Sequence, residues 1–273
     1  MESVKELREQ LQREKLENRE RPWGYRLFQR GPSIYITRLL IPTPITPNML
    51  SVFSILAGMY GACLLISPEW YIKLFALFFF YLHLILDRVD GEIARYKKIF
   101  SLKGIYLDEL NHLIVPPLFF MALAIGLKDS TVFAELFILG AGILAAFASV
   151  FLRVTHNLPY GIFLKKYVKH RDVFILPANS TSTADMRRTY APIYPLAKFF
   201  HQFQDFFITL TIFIIALLLE HFTAPDAFLF PYTTLLLLLY APYLSLLVLE
   251  NIIKGLRTIE NKMHEIYETC LPK

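Results

Sequence analysis

The stretch LDRVDGEIARYKKIFSLKGIYLDELNH, residues 86–112, joins two long apolar runs and holds most of the acidic residues that lie in or beside such runs. The run before it covers about 70–87 and the run after it about 106–127. Each is near the ~20 residues needed to cross a bilayer as a helix. A carboxylate in or beside such a helix is costly, so it is a functional candidate by default. Asp87 and Asp90 are three residues apart and share a helix face; Asp108 and His112 are four apart and share another.

Outward from this stretch lie four more apolar segments, at about 48–67, 131–153, 204–221 and 229–250. The pattern predicts an all-α integral membrane protein with six transmembrane helices, preceded by an N-terminal interfacial amphipathic helix. The second segment is expected to run on past the membrane as a polar helix to about residue 98. Pro116 and Pro117 fall inside the third, where prolines kink a membrane helix next to a cavity.

Composition agrees. Of 273 residues, 55% are hydrophobic and 19% charged, against ~25% charged in an average soluble domain. Mean hydropathy is +0.43. A disordered tail, a collagen-like fibre and a small disulfide-stapled secreted domain are excluded. The two cysteines, Cys63 and Cys270, offer no metal-binding spacing and are not expected to pair.

Residues 3–21 read as a charged helix with a thin apolar stripe, Val4, Leu7 and Leu11, solvated or lying on the membrane surface. Residues 22–40 interleave aromatics with Arg26, Arg30 and Arg38, which suits a helix in the membrane interface. A neighbouring span explains that mixture better than nucleic-acid binding does. The N-terminus lacks the early apolar stretch of a cleavable signal peptide. The expected organisation is an N-terminal part at 1–40, a membrane catalytic domain at 41–250 with a cytoplasmic loop at 154–203, and a tail at 251–273. The loop contains NSTSTAD (179–185) and Pro159, Pro177, Pro192 and Pro195.

Lys and Arg set orientation, because cytoplasmic loops are enriched in them. All of the 28 except Lys73 and Lys128 lie in the stretches 1–47, 88–103 and 153–203 or in the C-terminal tail. Both termini and the acidic cluster are therefore expected to be cytoplasmic, and an even number of spans agrees.

If the two helices around residues 86–112 face each other, Asp87, Asp90 and Asp108 converge. Carboxylates so close need a cation to stay ionised, and oxygen clusters suit Mg²⁺, Mn²⁺ or Ca²⁺. Gly91 and Ala94 leave a gap through which a ligand approaches the backbone, and Arg95 adds a cation. Together they suggest a phosphate ester such as a nucleotide diphosphate. From spacing alone, helix-end charges in surface salt bridges remain the alternative.

Here the sequence resembles the CDP-alcohol phosphotransferase (CDP-alcohol phosphatidyltransferase) family, whose signature is D-x2-D-G-x2-A-R-x8-G-x3-D-x3-D. Asp87, Asp90, Gly91, Ala94, Arg95, Gly104 and Asp108 match it, so seven of eight fixed positions agree over 26 residues. The preceding ITPNMLSVFSILAG (45–58) is also similar. The resemblance implies a six-span membrane transferase that moves a substituted phosphate from a CDP-alcohol to an acceptor hydroxyl, lipid or polyol, and releases CMP in the synthesis of phospholipids or related phosphodiesters. It implies two divalent ions, Mg²⁺ or Mn²⁺, on Asp87, Asp90 and Asp108, with Asp87 bridging them. Gly91 and Ala94 would admit the cytidine, and Arg95, with Gly104 nearby, would help hold the diphosphate. A homodimer is implied too, and the run GAGILAAFAS (140–149) has the small residues that close helix contact uses.

His112 stands where the family has its last aspartate, the base that deprotonates the acceptor. Three readings follow. The imidazole is the general base, or a nitrogen ligand favouring Mn²⁺ or another transition ion, or the mark of a catalytically impaired relative that binds a CDP-alcohol or acts as a membrane scaffold. Glu109, about 100° around the helix from Asp108, is expected to point away. Glu92 is expected to line the nucleotide site or to face solvent. Arg153, His156 and Asn157 are candidates for the acceptor, or a basic anchor at a span's end. Arg38 and Asn48 are pocket or interface candidates, and His83, one turn before Asp87, is a hydrogen-bond partner or a packing residue. A transporter would spread its charges along several spans; here they gather at one edge.

Overall fold

Local chemistry fixes the helical hairpin that carries residues 86–112. The first helix, α4 (Trp70–Lys97), stops at Lys98, whose left-handed backbone (φ 53°) lets its N–H reach the Ala94 carbonyl. Ser101 starts the next, α5 (Leu102–Gly126), its hydroxyl accepting the Gly104 N–H at 3.0 Å. A rise of about 1.5 Å per residue puts Asp87 about 15 Å from the end of α4. Asp108 and His112 then lie about 9 and 15 Å into α5. The two helices do not pair along their length: each packs on the helix at Pro47–Leu65, and side chains reaching across bring Asp87 to Asp108 and His112.

The computed structural model describes residues 2–17, 24–127, 132–169, 199–223 and 231–270. Before the hairpin come α1 (Val4–Glu17), a π-helical turn at Tyr25–Gln29, α2 (Arg30–Leu40) and α3 (Pro47–Leu65). After it come α6 (Val132–Phe163) with a π-helical turn at Leu164–Lys169, α7 (Phe206–Thr223) and α8 (Tyr232–Cys270). Helix α3 begins with Thr46, whose hydroxyl accepts the Met49 N–H at 3.3 Å, and with Pro47 in the first turn.

Among the described residues, five helices are long and apolar enough to cross a membrane, not the six expected. They are Pro47–Leu65, Leu102–Gly126, Ala134–Tyr167, Phe206–Thr223 and Tyr232–Glu260. The expected second span falls in α4, which is not among them. That helix carries Lys73 in its first turn and Asp87, Arg88, Asp90, Glu92, Arg95 and Lys97 in its second half. One face of it is buried, with Phe80, His83, Leu84, Asp87, Val89, Asp90, Glu92 and Ile93 inside, while Tyr71, Phe75 and Phe78 are exposed. The segment expected at 131–153 is longer than its apolar run, because α6 continues through Pro159 to Phe163. NSTSTAD (179–185) and Pro177, Pro192 and Pro195 lie outside the described residues.

The core gathers around aromatic rings. Phe119 meets Phe80 at 5.2 Å, Phe206 at 5.5 Å and Phe213 at 5.5 Å, all edge to face. Helices approach most closely at glycines. A Cβ on Gly126 would stand 2.2 Å from the Leu65 carbonyl oxygen, so α5 and α3 pack backbone to backbone. Within 140–149, Gly142 packs on Ala124 and Ala145 is fully buried, while Gly140 faces open space.

Helix α1 differs from the solvated or surface helix expected. Leu7 and Leu11 are buried with Ile34 of α2, and Val4, Ile41 and Tyr96 pack alongside. The thin stripe is a docking face.

Candidate active site

Asp87, Asp108 and His112 come together. One ligand atom from each lies within 4.8 Å of the other two, which gives two carboxylate oxygens and one imidazole nitrogen. The two α5 groups face each other across one turn, with His112 Nε2 3.9 Å from Asp108 Oδ1. Asp87 is buried, whereas Asp108 and His112 are half-exposed and leave the cluster open on one side.

Every oxygen of Asp87 is held. Oδ1 accepts from Asn111 Nδ2 at 2.8 Å and Oδ2 from Arg88 Nη1 at 2.8 Å. Asn111 is fully buried and also donates to Ser54 Oγ at 3.2 Å. Ser54 in turn bonds His83 Nδ1 at 2.9 Å. His83 is thus linked to Asp87 through two residues rather than directly. Arg88 is aimed by Gln29 Oε1, 3.0 Å from its Nε, and stacks over the Tyr25 ring.

Asp90 stands beside this cluster, not in it. Its Oδ2 accepts from Ser51 Oγ at 2.7 Å. Burial first, then the neighbouring Asp87 charge, push its carboxyl up to about 7, against the Ser51 hydrogen bond. A cation nearby would favour its ionised form. Asn111 Oδ1 is a further buried oxygen with no hydrogen-bond partner among the described residues. Hard oxygens, one imidazole and an open side fit a single divalent-metal cluster.

Gly91 lies under the Arg95 guanidinium, whose Nη1 is 3.4 Å from where a Cβ would stand. Arg95 Nε donates to the Leu11 carbonyl of α1 at 3.0 Å. Ala94 is half-buried one turn after Asp90. Gly104 is pressed against Asn48, whose Oδ1 would be 3.0 Å from an added Cβ and accepts from Ser101 Oγ at 3.1 Å. Asn48 therefore joins the first span to the start of α5.

Glu109 does turn away from the cluster, toward α6. Its carboxylate takes Arg153 in a two-pronged pair, at 3.0 and 2.8 Å, and Asn157 Nδ2 at 3.1 Å. Two of the three acceptor candidates thus meet at the residue after Asp108, and His156 lies exposed on the same helix. Arg38 is half-exposed in the last turn of α2.

Glu92 neither lines this site nor faces solvent. It is fully buried on the opposite side of α4, about 200° around the helix from Asp90. Sequence reasoning also missed Asn111, Ser51 and Ser54. A lone small polar residue in an apolar helix carries no spacing signal.

A family model described as CDP-alcohol phosphatidyltransferase matches residues 44–263, which include the whole cluster and all five apolar helices. No curated protein matches the chain. With a match over most of its length, the chain belongs to the CDP-alcohol phosphatidyltransferase family, enzymes of CDP-alcohol-dependent phosphotransfer.

Proposed function

We propose that this membrane transferase uses His112 as its general base and holds two divalent ions, Mg²⁺ or Mn²⁺, with Asp87, Asp90 and Asp108. The observation that carries the reading is the meeting of Asp87, Asp108 and His112 within 4.8 Å at an open edge of the bundle. Bound metal would neutralise the donor diphosphate and polarise the phosphorus.

The remaining work falls to the chain's own residues. Gly91 and Ala94 leave room for the cytidine, and Arg95, lying over Gly91, binds the diphosphate. Gly104 keeps the start of α5 close to α3. His112 takes the proton of the acceptor hydroxyl through a ring nitrogen, the acceptor oxygen attacks the phosphorus bearing the alcohol, and CMP leaves. Arg153 and Asn157, with His156 nearby, present the acceptor side. The Glu109 carboxylate already holds Arg153 and Asn157 in place. The basic residues flanking the site, Arg88, Arg95, Lys97, Lys98 and Lys103, support a cytoplasmic face for it. The resemblance supports a homodimer, with the outward-facing Gly140 as a point where a second copy could pack closely.

A second reading has a specific observation behind it. His112 Nε2 lies in the same donor set as Asp87 and Asp108, as a nitrogen ligand would. Kinetics of His112→Ala and His112→Asp separate the two. Loss of about 10²–10⁴-fold in turnover, not restored by excess metal, is the result expected of a base. Turnover recovered at high Mn²⁺ would make His112 a ligand. An inactive wild type beside an active His112→Asp would make the protein an impaired relative.

A further inference from the structure

The other face of α4 carries a second buried polar cluster. Glu92 is a fully buried carboxylate, and four side chains from three turns of two N-terminal helices converge on it. Its Oε1 accepts from Gln12 Nε2 at 2.9 Å, Arg30 Nη1 at 2.8 Å and Ser33 Oγ at 2.8 Å. Its Oε2 accepts from Thr37 Oγ1 at 2.7 Å. Gln12 also bonds the Arg30 carbonyl at 2.9 Å, so α1 is tied to α2 and α4 at one point. Such a network is stable only when every member is satisfied, and it then specifies one arrangement.

One residue before Gln12, the Leu11 carbonyl accepts from Arg95 Nε at 3.0 Å. That bond holds the guanidinium with Nη1 over Gly91. The same helix that Glu92 anchors therefore aims the arginine of the donor site. Arginine has a long side chain with several rotamers, and fixing it before the ligand arrives lowers the cost of binding.

We propose that α1 is a working part of the donor site: docked through Glu92, it positions Arg95 for the diphosphate of a cytidine nucleotide. Glu92 and Gln12 are positioning residues, acting through Arg95 and touching no substrate. The proposal rests on the reading of Arg95 as a diphosphate-binding residue.

Glu92 is too deeply buried to substitute without risk to the fold, so the test undocks α1 instead. Leu7→Asp with Leu11→Asp puts two charges into the small cluster with Ile34 and leaves the bundle core untouched. Leu7→Met with Leu11→Met is the conservative control. CDP binding is measured by titration calorimetry on the full chain in detergent with Mn²⁺. The Asp pair should weaken CDP binding about tenfold, within the usual range for coupling between sites, and the Met pair should restore it. In an Arg95→Lys background the Asp pair should have no further effect, because the group being aimed is gone. By reciprocity, CDP should slow hydrogen exchange of the α1 amides in the wild type. Equal CDP affinity in the Asp pair and the wild type would overturn the proposal, as would a full tenfold loss on top of Arg95→Lys. A wild type that binds no CDP would instead defeat the donor-site reading itself, and the role given to α1 with it.

Discussion

Asn111 shows what a single residue contributes to the cluster. It donates to Asp87 from a fully buried position, at the one carboxylate oxygen that Arg88 does not take. Groups that orient a metal ligand typically contribute 10–100-fold to metal affinity. Asn111→Leu should therefore raise the Mn²⁺ concentration for half-maximal CMP release by about that factor, with little change in maximal rate once metal saturates. An unchanged metal requirement would show that Asp87 needs no such support. The motif residues were legible in the sequence because their chemistry and spacing are specific. Asn111 was not, since its neighbours Ser54 and Asp87 are distant in sequence and only packing reveals them. Glu92 was misread for a related reason. It was expected to line the site or face solvent, but it turns about 200° from Asp90 and is buried by partners from residues 12–37, distant in sequence.

At the scale of elements, helices were legible and their environments less so. Apolar runs located α3, α5, α6, α7 and α8, and the polar extension of α4 was expected to about residue 98, against an end at Lys97. The run inside α4 looked like a span. The helix instead carries a buried charged half, which composition over a short window does not weigh. The thin stripe on α1 looked too weak to dock, yet two leucines suffice when a buried glutamate anchors the same helix. Glycine positions make a direct test of the packing. Gly126→Ala drives a methyl to 2.2 Å from the Leu65 carbonyl, where backbone must move. Overpacking of this kind costs about 1–3 kcal/mol, read as a lower unfolding temperature in detergent. Gly161→Ala, at an exposed helical position with nothing within 4 Å, should not lower that temperature. Equal stability of the two variants would contradict the close α3–α5 packing.

Across the whole molecule, charge is sorted far more sharply than fold requires. Of the 28 Lys and Arg residues, only Lys73 and Lys128 fall outside the basic stretches. The resulting asymmetry supports the cytoplasmic side proposed for the site, by the positive-inside rule. Lys103 is exposed at the tip of the hairpin. A Lys103→Cys variant lacking Cys63 and Cys270 should react with a membrane-impermeant maleimide in inside-out vesicles and stay protected in right-side-out ones. The reverse pattern would invert the orientation and put the donor site on the wrong side for a cytosolic nucleotide product.

A metal held between α4 and α5 is proposed to drive transfer from a CDP-alcohol. The measurement that tests it most directly is CMP release by the purified protein, with a panel of CDP-alcohols crossed against candidate acceptors. Mg²⁺ or Mn²⁺ is supplied or removed, and Asp108→Ala runs beside the wild type. Asp108 is half-exposed, so its loss should spare the fold. CMP release from the wild type should need both metal and acceptor, and should fall at least about 10²-fold in Asp108→Ala. Full activity in Asp108→Ala, or release unaffected by chelation, would contradict that role for the metal.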